Sequence, residues 1–210
     1  MIRTSAAVIT HTEPHKHHTG QGLIAPEDLR RLNAELPDER LFFRGVKEAP
    51  EFDKHYRFWG LNAYLSDEWT PQGAKLPAAW SELVTEVVQA PFRDWLSEVL
   101  GLSLRGAPQD VMIMRRGPGD YRSLHRGKAE RATNIVLCLN EEWPEGGGGT
   151  YDLWASKDAD GPVRSIVPVP GSMYTVIHSD ASWHRVTPVR EHVPAPLLTL
   201  ALGFSKPDAR

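Results

Sequence analysis

The sequence is poor in cysteine and has no excess of basic residues. Its single cysteine, Cys138, excludes an intramolecular disulfide framework and a cysteine zinc cluster. The 24 lysines and arginines are outnumbered by 27 aspartates and glutamates, which gives a formal net charge of −3. Because a nucleic-acid surface needs clustered positive charge, this balance gives no electrostatic support for a nucleic-acid partner.

Long apolar runs are also missing. No run approaches the roughly 20 residues that a helix needs to span a bilayer, and the stretch "MIRTSAAVITHTEPHKHH" has too short an apolar segment for a signal peptide. Hydrophobic residues make up 40% of the chain and charged residues 24%, which is typical of soluble globular proteins. We therefore predict a soluble, cytoplasmic protein without a membrane partner. Its oligomeric state leaves no signature in the sequence.

The first half of the chain divides into two predicted parts. Residues 1–22 are polar and rich in turn formers, which predicts a flexible, solvated N-terminal segment. The alternative for this segment is a metal-binding tail built on its four histidines, His11, His15, His17 and His18. Residues 23–109 form a predicted helical and irregular support region. In it, "APEDLRRLNAELP" predicts a short amphipathic helix, "PAAWSELVTEVVQAPFRDWLSEVLGL" predicts a longer helical stretch interrupted at Pro91, and residues 38–75 are aromatic and irregular.

After Gly101 the sequence changes to short apolar runs separated by Gly, Pro, Asp and Asn. Eight runs of strand length follow one another: "DVMIMRR", "DYRSLH", "ATNIVLCL", "GTYDLWA", "VRSIVPV", "SMYTVIH", "WHRVTPV" and "PLLTLALGF". Short strands without helix-length gaps predict a sandwich or barrel, and eight of them suit a jelly roll. The predicted fold class is therefore α+β, with a jelly-roll core over residues 110–206 preceded by packing helices. Cys138 lies inside one of these runs and is predicted to fill the core.

Three segments of the β region carry a resemblance to a known family. In order, they are "GPGDYRSLHRG", "RATNIVLCLNEEWPEGGGGTYDLW" and "IVPVPGSMYTVIHSDASWHRVTPV". Together they resemble the iron(II)/2-oxoglutarate-dependent oxygenases, in the branch of the prolyl 4-hydroxylase-like enzymes, over residues 110–204. The resemblance implies a double-stranded β-helix in which two histidines and one carboxylate hold iron(II) and leave positions for 2-oxoglutarate and oxygen. Mapped onto this sequence, the metal-binding histidines are His125 and His184.

The position of the expected carboxylate is occupied by Gly127, which supplies no ligand atom. In the halogenase branch of the family a small residue replaces the carboxylate, and a chloride ion takes the free position on the iron. The resemblance therefore implies an enzyme that oxidises or halogenates a small molecule, with specialised metabolism as a candidate setting and His125, Gly127 and His184 as its catalytic positions. Chloride is accordingly a candidate cofactor beside iron(II) and 2-oxoglutarate.

A second difference from the family, after Gly127, concerns the cation that pairs with the distal carboxylate of 2-oxoglutarate. The family carries an arginine or lysine on the last core strand, but residues 196–198 of this chain are apolar. Burying a carboxylate without a cation costs on the order of several kcal/mol. Either Arg190, Arg131 or Arg116 supplies the charge, or 2-oxoglutarate is not used. Tyr121 is a further candidate for lining the cofactor pocket, because it lies close to His125 in sequence.

The missing third ligand leaves several alternatives open. Candidate replacement carboxylates are Asp120, Glu130, Asp152 and Asp180, and His178 is a possible third imidazole. A different reading is a family member that has lost oxidation and acts as a binding protein or a non-redox enzyme in the same pocket. In a third reading, the substrate itself chelates the iron and 2-oxoglutarate is not needed. Residues 52–69 and 156–162 are candidates for contacting the substrate.

Overall fold

The structure is a computed structural model that describes residues 1–48 and 55–206. Its α-helices are α1 (Pro26–Ala34), α2 (Ala78–Val88) and α3 (Ala90–Leu100). Its strands are β1 (Val8–His11), β2 (His17–Gly20), β3 (Phe43–Lys47), β4 (Tyr56–Leu65), β5 (Glu68–Trp69), β6 (Gln109–Arg116), β7 (Tyr121–His125), β8 (Arg131–Cys138), β9 (Tyr151–Leu153), β10 (Arg164–Ile166), β11 (Met173–Ile177), β12 (His184–Val186) and β13 (Leu197–Ser205). None of the helices in these described residues is long and apolar enough to cross a membrane.

The strands form one curled antiparallel sheet in the order β1-β2-β11-β8-β13-β6-β4-β7-β12-β9-β10, with β3 and β5 also paired to β4. The eight strands β6 to β13 correspond to the eight runs of the sequence. Because the side chains of a strand alternate between its two faces, each central strand contributes to two different clusters. On β13, for example, Leu198, Leu200 and Leu202 pack into the core beneath the helices.

The opposite face of the central strands encloses a second, smaller cluster. It consists of Cys138 from β8, Tyr151 and Leu153 from β9, Tyr174 and Val176 from β11, and Val186 from β12. These strands lie in distant parts of the sheet order, so the sheet must roll up to bring their side chains together. The fold is therefore the double-stranded β-helix that the sequence predicted. We call the space around this cluster the barrel interior.

The helices cover the outer face of the rolled sheet as the sequence predicted. Pro91 lies in the first turn of α3, where its missing N–H is not needed, and so it separates α2 from α3. Trp80 of α2 is fully buried, and its indole N–H donates to the Leu32 carbonyl at 3.0 Å. Gly101 ends α3 with a φ of 62°, in the left-handed region that glycine adopts without strain.

Two predictions for the first half of the chain are wrong. Instead of a solvated terminus, residues 8–11 and 17–20 form β1 and β2, and β2 extends the sheet by pairing with β11. Within the irregular stretch, β3 and the ten-residue β4 form, and β4 pairs with β6. β2 is added to the sheet by backbone hydrogen bonding to β11, which the polar residues of the N-terminal segment do not reveal. β4 lies between β6 and β7, and its aromatic residues did not indicate that it pairs with two distant strands.

Candidate active site

Two buried histidines face each other across neighbouring strands in the barrel interior. β7 and β12 pair with His125 directly opposite His184. The ring centroids are 4.2 Å apart, and the two residues are only 5% and 3% exposed. The structure thus brings together the two histidines that the sequence singled out, although 59 positions separate them in the numbering.

Each of these rings is oriented by a backbone carbonyl two residues earlier. Nδ1–H of His125 donates to the Ser123 carbonyl at 2.8 Å, and Nδ1–H of His184 donates to the Ser182 carbonyl at 2.7 Å. Burial, reinforced by the charge of Arg122, holds the pKa of His184 well below its usual range. A neutral imidazole that donates through Nδ1 keeps a lone pair on Nε2, which is the arrangement of a metal-binding histidine.

The imidazole of His178 occupies the place of a side chain at position 127. Gly127 has a φ of 86°, and a Cβ there would lie 2.2 Å from Cε1 of His178. The ring nitrogens of His178 bond elsewhere: Asn134 Nδ2 donates to Nε2 at 3.0 Å, and Nδ1 lies 3.4 Å from the Lys128 carbonyl. Its ring centroid is 6.1 Å from that of His184. An aspartate at position 127 would require this ring to move.

The candidate replacement carboxylates are engaged with arginines or lysines. Asp120 accepts from Arg44 at 2.9 and 2.5 Å, Asp152 from Arg185 at 2.8 Å, and Asp180 from Arg126 at 3.2 Å, while Glu130 lies 3.6 Å from Lys128. In residues 1–48 and 55–206, no group of three or more His, Cys, Asp or Glu side chains is arranged to hold a metal. The described donor set is therefore two imidazoles.

Arg116 is a buried cation beside the position where the sequence lacks one. It lies on β6 directly opposite Leu197 of β13, within the stretch expected to carry the basic residue. Arg116 is 4% exposed, and its Nη2 lies 3.6 Å from the sulfur of Met114. Its Nε is buried and has no hydrogen-bond partner in the described part of the chain. Burial lowers the pKa of this guanidinium, so a positive charge sits in the interior at an energetic cost.

A second interior arginine, Arg122, was missed by the sequence reasoning. It pairs with Val186, and the register between β7 and β12 shifts between this pair and the histidine pair. Such a bulge turns a side chain to the face opposite the one that simple alternation predicts, so no sequence pattern marks Arg122 as interior. Burial, followed by the charge of Arg116, lowers its pKa to about 10. Its Nε also lacks a partner among the residues described.

The other cofactor candidates lie in less suitable places. Arg131 is ion-paired with Asp110. Arg190 is exposed; its backbone N–H donates to the Gly147 carbonyl at 2.9 Å, and its carbonyl accepts from the Val193 N–H at 3.3 Å. Tyr121 is half-buried opposite Arg57 of β4. Of the four candidates, Arg116 is the one that combines burial with an unpaired charge. Of the candidate substrate segments, residues 52–54 lie outside the described residues.

Two buried tyrosines lie next to the histidine pair. The ring of Tyr151 lies 5.1 Å from that of His184 and 4.4 Å from that of Tyr174. Burial raises the pKa of both phenols, so they remain neutral hydroxyl groups. Burial also raises the pKa of the Cys138 thiol to about 11, which agrees with its prediction as a core residue rather than a nucleophile.

A comparison with protein families adds independent information. The family model of the 2OG-Fe(II) oxygenase superfamily matches residues 111–197, the segment that carries both histidines. Over this segment the β core is similar to the 2OG-Fe(II) oxygenase superfamily. A prolyl-4-hydroxylase of Pseudomonas putida has a similar fold, with a TM-score of 0.61 at 19% identity over 90% of this chain and 92% of that chain. No curated protein matches the sequence.

Two further solved structures share this oxygenase fold. A prolyl hydroxylase of Trichoplax adhaerens, in complex with a hypoxia inducible factor peptide fragment, gives a TM-score of 0.58 at 14% identity over 99% of this chain and 86% of that chain. AviO1 of Streptomyces viridochromogenes Tue57 gives a TM-score of 0.55 at 14% identity over 92% of this chain and 91% of that chain. At these identities the likeness concerns the fold, and it agrees with the prolyl 4-hydroxylase-like resemblance of the sequence.

The side chains of the site fit iron(II) in part. His125 and His184 are buried, face each other and are each held at Nδ1 by a backbone carbonyl, as metal-binding imidazoles are. The position of the third ligand does not fit, because Gly127 has no donor and His178 fills the adjacent space.

Proposed function

We propose that this protein is an iron(II)- and 2-oxoglutarate-dependent oxygenase that oxidises a small molecule. The observation that carries the proposal is the buried pair His125 and His184, with both Nδ1 atoms tied to carbonyls. A bound iron(II) ion would supply the activation of molecular oxygen, with 2-oxoglutarate as the co-reductant. The two histidines would hold this ion through Nε2, while the ring of Tyr151 packs beside His184 and keeps water away from that imidazole.

Arg116 is the proposed partner of the distal carboxylate of 2-oxoglutarate. Residues directly opposite on paired strands have Cβ atoms about 5 Å apart. The side chain of Arg116 therefore begins close to the place from which a basic residue at position 197 would extend. A buried guanidinium without a carboxylate is destabilising, and an incoming carboxylate removes that cost. Its planar fork also suits two-point binding of a carboxylate. The proposed cosubstrate site therefore keeps a positive charge, which comes from β6 instead of the neighbouring strand β13.

Halogenation is the second candidate reaction, favoured by the absence of a carboxylate at Gly127. A pocket of about 210 Å³ lies beside this glycine, and Arg126, Lys128 and Lys206 are among its lining residues. Positive side chains would attract chloride to this pocket. The ring of His178 also lines the pocket and fills the space next to Gly127. Halide would therefore approach the metal site only past this imidazole.

The test is an anaerobic titration of the protein with iron(II) and then 2-oxoglutarate, followed by visible absorption. We expect one iron per chain and a charge-transfer band when 2-oxoglutarate is added. His125→Gln and His184→Gln, which lack an imidazole ligand, should lose both signals. Stoichiometric iron without a band would favour direct chelation by the substrate. Absence of iron binding would overturn the proposal and favour a binding protein or a non-redox enzyme in the same pocket.

Product analysis with a turned-over substrate separates oxygenation from halogenation. The reaction is run in chloride, in bromide and in a halide-free buffer, and the products are compared by mass spectrometry. Hydroxylated product in all three buffers supports oxygenation alone. Chlorinated and brominated products in the respective buffers support halogenation. We place this chemistry in the cytoplasm, where reducing conditions suit iron(II) and the single, unpaired Cys138.

A further inference from the structure

The N-terminal histidines reach the barrel interior through strand β2. β2 pairs with β11 so that His17 lies opposite Val176 and His18 lies opposite Thr175. Val176 belongs to the interior cluster. Because paired residues point to the same face of a sheet, His17 is on the interior face and His18 is on the face towards the helices. Both residues are fully buried.

His17 carries a buried acceptor that no described residue satisfies. Nδ1–H of His17 donates to the His15 carbonyl at 2.8 Å, which leaves the lone pair on Nε2. This Nε2 is buried and has no hydrogen-bond partner among residues 1–48 and 55–206. Burial lowers the pKa of His17 to about 4, so the ring is neutral at physiological pH.

His15 presents a second such atom next to the metal-site strand. Nε2–H of His15 donates to the Trp183 carbonyl at 3.2 Å, one residue before His184. Its Nδ1 is buried and lacks a partner within the described chain. The rings of His15 and His17 are 6.2 Å apart. His11 stacks on His17 at 4.6 Å, but both of its nitrogens are engaged, by Thr19 and by Arg164.

His17 and His15 therefore each carry a buried acceptor without a described partner, on rings 6.2 Å apart, and only the acceptor of His17 is placed on the interior face by strand pairing. Leaving a buried acceptor unpaired costs about 1–3 kcal/mol, and a bound donor removes this cost. The described residues add no third metal ligand to His15 and His17, so a metal ion on Nε2 of His17 is the competing outcome of the test below. We propose that His17 and His15 bind an uncharged donor group of the substrate, a hydroxyl or an amide N–H. This inference rests on the proposed oxygenase function and names the chemical class of its substrate.

The chain offers a matched pair of variants on the two faces of one strand. Asparagine places an amide where Nδ1 of histidine lies and has nothing at Nε2. His17→Asn therefore keeps the bond to the His15 carbonyl and removes the interior acceptor. His18→Asn makes the same change on the opposite face, where Nε2 of His18 is also buried without a described partner. His15→Gln keeps a donor for the Trp183 carbonyl and removes Nδ1.

The experiment follows the ring nitrogens of ¹⁵N-histidine-labelled protein by NMR during titration with small probes. Isopropanol and acetamide carry donors, acetone has a similar size without one, and acetate tests for an anion. We expect isopropanol and acetamide to shift Nε2 of His17 while acetone and acetate leave it unchanged. Nε2 of His18 should not respond to any probe. His17→Asn should melt within about 2 °C of wild type, which corresponds to less than about 1 kcal/mol, and should lose the response of His15 to the probes.

Three results would overturn the inference. They are an equal response to acetone, a response to acetate alone, and a His17 Nε2 that already carries a proton or a metal in the free protein. Calorimetric titration of 2-oxoglutarate into the iron(II)-loaded variants keeps the two proposals apart. His17→Asn and His15→Gln should bind 2-oxoglutarate like wild type. If wild type itself binds no 2-oxoglutarate, the proposed function fails, whereas a failed probe titration removes only the donor assignment.

Discussion

Replacing Arg116 with methionine should weaken 2-oxoglutarate binding and stabilise the free protein. Removing one partner of a buried ion pair costs about 3–5 kcal/mol, so the dissociation constant should rise roughly 100- to 4,000-fold. In the free protein the same change replaces a buried, unpaired guanidinium with an apolar chain of similar shape. That replacement should stabilise by on the order of 1 kcal/mol or more, a rise in Tm of about 2–4 °C.

The assay is anaerobic calorimetry of 2-oxoglutarate binding to iron(II)-loaded protein, with a thermal melt of each variant. Arg190→Met removes an exposed arginine and should change neither quantity. The double variant Arg116→Met with Leu197→Arg moves the cation to the opposite strand and should regain at least tenfold in affinity. Its melt shows whether the apolar contacts of Leu197 with Val189 and Val193 tolerate the change. Unchanged affinity in Arg116→Met would refute the assignment of the carboxylate to this arginine.

Three further predictions concern Gly127, the buried histidines of β2 and the thiol of Cys138. Gly127→Ala should lower the free energy of unfolding in urea by on the order of 2–4 kcal/mol, because the φ of Gly127 is positive and a Cβ there would meet His178. His178→Ala in the same background should restore part of this loss. A wild-type free energy for Gly127→Ala would contradict the placement of His178. Stability should fall by on the order of 5 kcal/mol as pH drops from 6.5 towards 4, because burial lowers the pKa of both His17 and His18 to about 4 and the unfolded chain then binds more protons. An equally steep loss in the double variant His17→Asn with His18→Asn would assign the effect elsewhere. Cys138 should resist iodoacetamide at pH 8 until the protein unfolds, because burial raises the pKa of its thiol to about 11; alkylation of the folded protein, measured by mass spectrometry, would contradict its burial.

The β core was predictable because its strands alternate regularly and are separated by turn residues. All eight runs became strands β6 to β13, and the motifs around His125 and His184 marked the pair that the structure brings together. The helices α1, α2 and α3 followed from their apolar period and from Pro91. These features are local, so a single sequence contains the information that defines them.

The features that the sequence did not reveal depend on contacts between distant segments. β2 forms because β11 offers it an edge, and Arg122 turns inward because of a bulge against β12. From the sequence, Gly127 could be interpreted only as the loss of a metal ligand. That the ring of His178 fills its place depends on a residue 51 positions away. Arg116 was one of three open arginine candidates, and its burial and its pairing with Leu197 favour it over Arg131 and Arg190.

The two faces of the central strands have different roles: one stabilises the fold, and the other carries the polar groups of the candidate site. One face packs fully buried leucines and isoleucines against the helices, and this apolar core supplies the hydrophobic stabilisation of the fold. The other face carries guanidinium and imidazole nitrogens that have no hydrogen-bond partner among the described residues, and each of them costs stability in the free protein. A protein that keeps such groups in its interior tolerates their cost because the core behind the sheet compensates for it. Substitutions that make this interior apolar should therefore stabilise the chain while removing its ability to bind polar ligands, and this opposite sign distinguishes a binding interior from a structural one.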